Sequence, residues 1–279
     1  MTSFNRFTKI CLTVLFIGLS LAGIGFLLGG WTDLKHQATA NHKLETIDFD
    51  KVDTLDIQSN LMIVPSKDDQ FHLHYHQEGR NRTAPLSYQL DGKKLTIRDH
   101  QSKSSINVNS LFDLLLHLSQ QNLIEDRIPR LEVPRKAILK EVRGMVDIGE
   151  LDLEGVQIDR AQLEMNVGSV RLSNVHIKTL HLELDTGDVQ LTDVSLTPEN
   201  EEGSVRLNLG TLTANNLSLR GKNSIFTDLG NIDLQLNPKT AITIEADTDL
   251  GSVSNTFKSQ ANSQGLLVLE TSTGDIRVE

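Results

Sequence analysis

The sequence predicts an all-β protein, a single-stranded parallel β-helix. The expected solenoid is right-handed with coils of about 20 residues, follows one transmembrane helix and carries one short amphipathic helix as an insert. Three observations predict this. Gly-x-[Val/Ile/Leu] forms a ladder of seven, at Gly149, Gly168, Gly187, Gly210, Gly230, Gly251 and Gly274, with gaps of 19, 19, 23, 20, 21 and 23 residues. Hydrophobic residues make up 38% of the chain but aromatics only 4%, which suits thin aliphatic layers. An uncharged apolar run, residues 10–31, follows Arg6 and Lys9 and has the length of about 20 helical residues that a hydrocarbon core requires.

From the N-terminus, residues 1–9 read as a short cytoplasmic segment and 10–31 as a signal anchor. The basic pair lies before the apolar run and Asp33 after it, so the bulk of the chain is expected outside a cell membrane that it crosses once. A cleaved signal peptide is the competing reading: Ala38-Thr39-Ala40 resembles a cleavage site, although the apolar run exceeds the usual length of about 7–15 residues. The one cysteine, Cys11, falls in this run, so the exported part has no intramolecular disulfide and depends on packing and backbone hydrogen bonds. Residues 32–45 are polar and read as a juxtamembrane spacer. The solenoid domain is expected over 46–279.

Its opening is irregular. Val52, Leu55, Ile57, Leu61, Ile63, Phe71, Leu73 and Tyr75 alternate with polar residues, as half-buried strands do. Asp91-Gly92 signals a hairpin whose loop is expected to exceed two residues because of the lysines that follow. Within an insert at about 101–127, Ser110 is placed to cap a helix over Leu111 to Leu123. Leu111, Leu114, Leu115 and Leu118 form one face of it, and its expected role is to plug an end or flank of the core.

Regular coils are expected over 149–279. In the first four, the sixth residue after the glycine is Gly155, Asn174, Asp193 or Asn216, the residue types that tolerate a left-handed backbone. The spacing thus predicts a second corner per coil, with the register drifting after Gly230. Inward positions are expected at Val170, Leu172, Val175, Ile177, Leu180, Leu182 and Leu184. The matching set one coil on is Val189, Leu191, Val194, Leu196, Val205, Leu207 and Leu209. Thr197–Gly203 and Lys258–Gly265 are polar bulges, and bulges of this kind cluster on a working face.

These motifs, above all Asn166-Val167-Gly168-Ser169-Val170-Arg171-Leu172, Asp185-Thr186-Gly187-Asp188-Val189-Gln190-Leu191 and Ser272-Thr273-Gly274-Asp275-Ile276, resemble the DUF4097 family of bacterial β-strand-repeat, adhesin-like proteins over residues 46–279. The resemblance implies a β-helix without assigned catalytic residues. In some relatives it implies a membrane anchor and a link to cell-envelope stress, antimicrobial-peptide response or a neighbouring transcription repressor.

Candidate chemistry is sparse. His72, His74 and His76 alternate along one strand, about 6.8 Å apart on one face, where two or more of them suit a zinc or copper ion or a pH sensor; the bland reading is the polar face of a strand whose Phe71, Leu73 and Tyr75 point inward. Gly187-Asp188 and Gly274-Asp275 lack the nine-residue period of calcium-binding β-rolls and read as turns. Glu183 with Asp185, and Glu199, Glu201 and Glu202, are near enough in sequence for glycoside chemistry. With only two tyrosines and one tryptophan, aromatic sugar platforms are scarce, and no enzyme is expected. The net charge of -10, near -12 once Arg6 and Lys9 are set aside, argues against nucleic acid. The expectation is therefore a binding or scaffold protein of the cell envelope, acting in stress response or surface interaction, with no cofactor. Its partners are the membrane through 10–31, an envelope protein or cell-wall component, and another copy through the solenoid ends. A metal or pH sensor at the histidines is the alternative, and a carbohydrate-active enzyme the remote one.

Overall fold

The computed structural model describes residues 43–77, 84–99, 128–258, 263 and 265–279. Nearly all of these belong to one compact unit, Leu44–His76 with Ala84–Glu279; the other unit, Met1–Lys43 with Gln77–Thr83, lies almost wholly outside the described residues. So do the expected anchor at 10–31 and the expected helix at Leu111–Leu123. Among the described residues every regular element is a strand of one continuous sheet, and no helix is long and apolar enough to cross a membrane.

The centre is the most regular part. β8 (Ile138–Glu154), β9 (Gln157–Ser173) and β10 (His176–Thr192) stack in parallel with Gly149, Gly168 and Gly187 in register. Each strand runs through its glycine corner without leaving the ladder. Thirteen of the fourteen inward positions expected for two successive coils are buried, forming part of a single aliphatic core. The exception is Leu209, 48% exposed, because it immediately precedes a corner glycine. There the chain turns, two successive residues face outward, and strict alternation fails.

Both kinds of corner have a physical cause. At Gly187, with φ 141°, an added Cβ would lie 1.7 Å from the carbonyl oxygen of Gly168 in the coil below, so only glycine fits. At the second corner Gly155, Asn174, Asp193 and Asn216 have φ of 61°, 52°, 54° and 56°, as their spacing predicts. Asn216 donates to Asp193 at 2.6 Å and Asn237 donates to Asn216 at 2.7 Å, so side-chain bonds carry this corner onward after the left-handed residues stop.

The coils do not stack in sequence order. After β10 come β11 (Ser195–Leu196), β12 (Gly203–Leu209) and β13 (Leu212–Leu219), and on these lie β14 (Lys222–Leu229) and β15 (Ile232–Leu236). The next layer is not β16 (Thr243–Leu250) with β17 (Val253–Asn255). It is the chain's last coil, β18 (Leu266–Thr273) with β19 (Ile276–Val278), and β16 and β17 pack outside it. The glycine ladder therefore runs 149, 168, 187, 210, 230, 274, 251 in space. The turn at Asn237–Ile242 lets the chain step over one layer, a distance of about 10 Å, and the terminal segment fills the gap.

The opposite end repeats this device. β2 (Thr54–Gln58) and β3 (Leu61–Pro65) lie between β8 and an outer layer of β6 (Lys94–Asp99) and β7 (Arg130–Val133). Here the ladder also ceases to be wholly parallel. β4 (Phe71–Gln77) runs antiparallel to β7, β5 (Leu86–Asp91) runs antiparallel to β6, and β1 (Lys43–Phe49) pairs with β4. β1 begins within the stretch read as a spacer. Asp91 pairs with Lys94, so the hairpin loop is the two residues Gly92-Lys93, shorter than expected, with Gly92 at φ 59°.

Candidate functional site

On β4 the alternation holds: Phe71, Leu73 and Tyr75 are buried and His72, His74 and His76 lie on the other face. The rings of His72 and His74 are 6.0 Å apart. Both nitrogens of His72 face carboxylates, Nδ1 to Asp48 on β1 at 2.7 Å and Nε2 to Asp68 at 2.9 Å. Asp68 also accepts from the Ser66 hydroxyl at 2.7 Å and the Gln70 amide at 3.1 Å. The bonds to Asp48 and then Asp68 raise the pKa of His72, while its bond to His72, followed by those to Ser66 and Gln70, holds Asp68 down at about 2. This is an imidazolium clasp. Metal ligation needs a free lone pair on a neutral ring nitrogen, whereas here both nitrogens of His72 are turned to carboxylates. His74 turns Nδ1 to Thr46 at 2.9 Å and Nε2 to Glu132 at 3.5 Å. Among the described residues no group of three or more His, Cys, Asp or Glu is disposed to hold a metal ion.

The Gly-Asp aspartates work at the corners. Asp188 accepts the Thr211 amide at 3.0 Å and Asp275 accepts the Ser252 amide at 2.9 Å, each from the next layer. Asn60 and Asn231 do the same for Glu150 and Asp275. Of the carboxylates considered for glycoside chemistry, Asp185 is bonded to Asn208, Glu201 to Arg160 and Glu202 to Lys222.

An open cleft of about 900 Å³ lies where the repeats are interrupted. His176, Ser195 and Ser218 stand in register along its floor, one per coil, with Asn237 continuing the row. Thr197, Pro198 and Glu199 of the first bulge form part of the wall, and Gly265 lies in the same stack, above Gly221. Gly221 stands between these layers: an added Cβ there would lie 2.1 Å from the Pro198 carbonyl oxygen, and its own carbonyl accepts the Leu266 amide. Arg220 and Lys239 are exposed on the rim. Thr240, only 5% exposed, lines the cleft with a hydroxyl that has no hydrogen-bond partner.

The sequence singled out both bulges, the second of which lies mostly outside the described residues, but not the cleft beside the first, nor His176, Arg220, Lys239 and Thr240. One signal was present. Asn237-Pro238-Lys239-Thr240 breaks the repeat, and in the structure the Asn237 side chain accepts the Lys239 amide at 2.9 Å to form the turn that floors one end of the cleft.

Stacked glycine corners, in-register parallel strands and one aliphatic core define a β-solenoid repeat protein. The chain belongs to the Toastrack DUF4097 family, whose profile matches residues 52–279. Among solved structures it is similar to a "putative cell adhesion protein" from Clostridium sporogenes, with 13% identity, a TM-score of 0.39 and coverage of 85% of this chain and 97% of that one. It is also similar to a "putative adhesin" from Bacteroides fragilis, with 12% identity, a TM-score of 0.45 and the same two coverages. No curated protein matches the chain.

Proposed function

We propose that the chain is a membrane-tethered, extracytoplasmic binding and scaffold module of the cell envelope, engaged in surface interaction or envelope-stress response, with its ligand seated in the cleft. One observation carries this reading: the bulge at Thr197–Glu199, the turn at Asn237–Thr240 and Gly265 line one polar concavity, while nearly every repeating residue has a structural task. The apolar run at 10–31 and its charge flanks support the tether. No catalytic step belongs to this reading.

A photo-crosslinking side chain placed at Glu199 in the full-length protein, in intact cells, should capture a discrete partner that the same group at Gln162, outside the cleft, does not. Equal capture at both positions, or none at Glu199, refutes the cleft. An impermeant thiol reagent should label a cysteine introduced at Ser195 in intact cells; labelling only after lysis would place the solenoid inside.

The His72 clasp favours a second reading, pH response. It ties β1 to β4 and to the turn holding Asp68, and β1 is the strand nearest the expected anchor. Acid would tighten that connection and alkali loosen it.

A further inference from the structure

We propose that the cleft takes an extended, hydroxyl-rich polymer bearing acid groups, an anionic polyol. The inference rests on the binding reading above and names the ligand's chemistry.

The floor sets the first requirement. His176, Ser195, Ser218 and Asn237 repeat once per coil, at about 4.8 Å, along roughly 14 Å. The side chains of His176, Ser195 and Ser218 each both donate and accept hydrogen bonds, as hydroxyl groups do, so a run of hydroxyls can satisfy them in either sense, while Asn237, held by Asn216 and the Lys239 amide, closes the row. The buried, unpartnered Thr240 hydroxyl adds another such group. A buried polar atom without a partner is a standing cost that a bound hydroxyl or acid oxygen would remove.

The rim sets the second. The lining holds two fixed cations, Arg220 and Lys239, against one carboxylate, Glu199, a net +1 with His176 neutral, in a chain of net charge -10. No ion pair engages Arg220 or Lys239 among the described residues, so both cations on the rim are open to an acid group. Arginine's planar fork suits the paired oxygens of a carboxylate or phosphate. Since no phenylalanine, tyrosine or tryptophan lines the cleft among the described residues, recognition falls to hydrogen bonds and charge rather than to stacking on sugar faces.

The test is a titration of the full-length protein in detergent micelles with four probes: poly(glycerol phosphate), polygalacturonate, neutral dextran and poly-glutamate. At least one of the first two should bind, weakening as salt rises, and which one binds distinguishes phosphate from carboxylate as the acid group. The double variant R220E/K239E should weaken that binding at least tenfold with an unchanged thermal midpoint, because both side chains are exposed. K136E, a cation outside the cleft, should leave binding as it was. Equal binding of dextran would overturn the anionic requirement, and equal binding of poly-glutamate would show the ligand to be an acidic peptide. If no probe binds while the crosslinker at Glu199 still captures a partner, the polyol inference falls and the binding reading stands. If both fail, both fall.

Discussion

His72 shows how one side chain couples the fold to solution conditions. Its raised pKa means that the folded protein holds this proton more tightly than an unfolded imidazole does. The stability it contributes is complete below the ordinary value of 6.5 and is lost as pH rises through the raised value. Asp68, held at about 2 against an ordinary 3.8, contributes fully above 3.8 and loses that contribution as pH falls towards 2. The clasp is therefore complete between those limits. The thermal midpoint of the wild type should fall between pH 6 and pH 8 by more than that of H72Q, and equal slopes by calorimetry would remove the clasp from the account. Corner residues offer a sharper contrast. Gly187→Ala places a methyl group against the Gly168 carbonyl and should destabilise by roughly 3 kcal/mol or more. Asn174→Ala, at φ 52° with open space for its side chain, should cost only about 1 kcal/mol, and Asn174→Gly close to nothing. Denaturant midpoints at constant m-value would establish this order.

At the scale of the element, each row along the stack has its own chemistry. The inward row three residues before the corner begins as Val146, Met165, Leu184 and Leu207, then changes to Thr227 and Thr271, both buried, and the half-buried Thr248. The Thr271 hydroxyl donates to the Gly230 carbonyl at 3.2 Å and the Thr248 hydroxyl to the Gly274 carbonyl at 3.0 Å. Thr227 is fully buried and its hydroxyl has no partner. Thr227→Val, nearly the same shape without the unpaired group, should thus stabilise by about 1 kcal/mol, whereas Thr271→Val should destabilise by a similar amount. Unfolding curves for the two variants moving in the same direction would contradict this. The outer row just before the corner is an exposed aliphatic ridge of Ile148, Val167, Leu209, Leu229 and Leu250, interrupted by Thr186 and Thr273. It is most exposed at its ends, Ile148 at 73% and Leu250 at 68%, since the middle members are covered by neighbours above and below. Aliphatic stacking between coils thus continues outside the core.

At the scale of the molecule, both extremities use the same device. The first coil, β2 with β3, is covered by β6 and β7, and the last, β18 with β19, by β16 and β17. Neither coil is left as an open edge that frays. In the outer layer at the C-terminal end, β16 carries Glu245, Asp247 and Asp249 facing solvent, charges that blunt edge-to-edge pairing. Amides of β18 should therefore exchange more slowly than those of β16, although β18 is nearer the C-terminus. Hydrogen exchange read by mass spectrometry gives the order directly, and faster exchange in β18 would contradict the interleaved stacking.

What the amino-acid sequence determined by itself was the coil. Its period, the two corner types, the inward aliphatic positions and the polar outer face of the histidine strand are local consequences of backbone sterics and side-chain alternation. They could be read from Gly168, Asn174 or Leu182 without knowing what lay above or below. Leu209 escaped that reading because alternation breaks at the corner, and the two-residue loop after Asp91 because pairing, rather than residue count, sets hairpin length. The order of the layers belonged to the tertiary structure alone. A parallel strand satisfies its backbone equally well against any neighbour of matching length and corner, so nothing local in β14 distinguishes β18 from β16. That choice rests on the connecting turn, on covering the chain's final coil and on the burial each arrangement achieves. It is also what brings Gly265 over Gly221 beside the Pro198 bulge, and so creates the cleft.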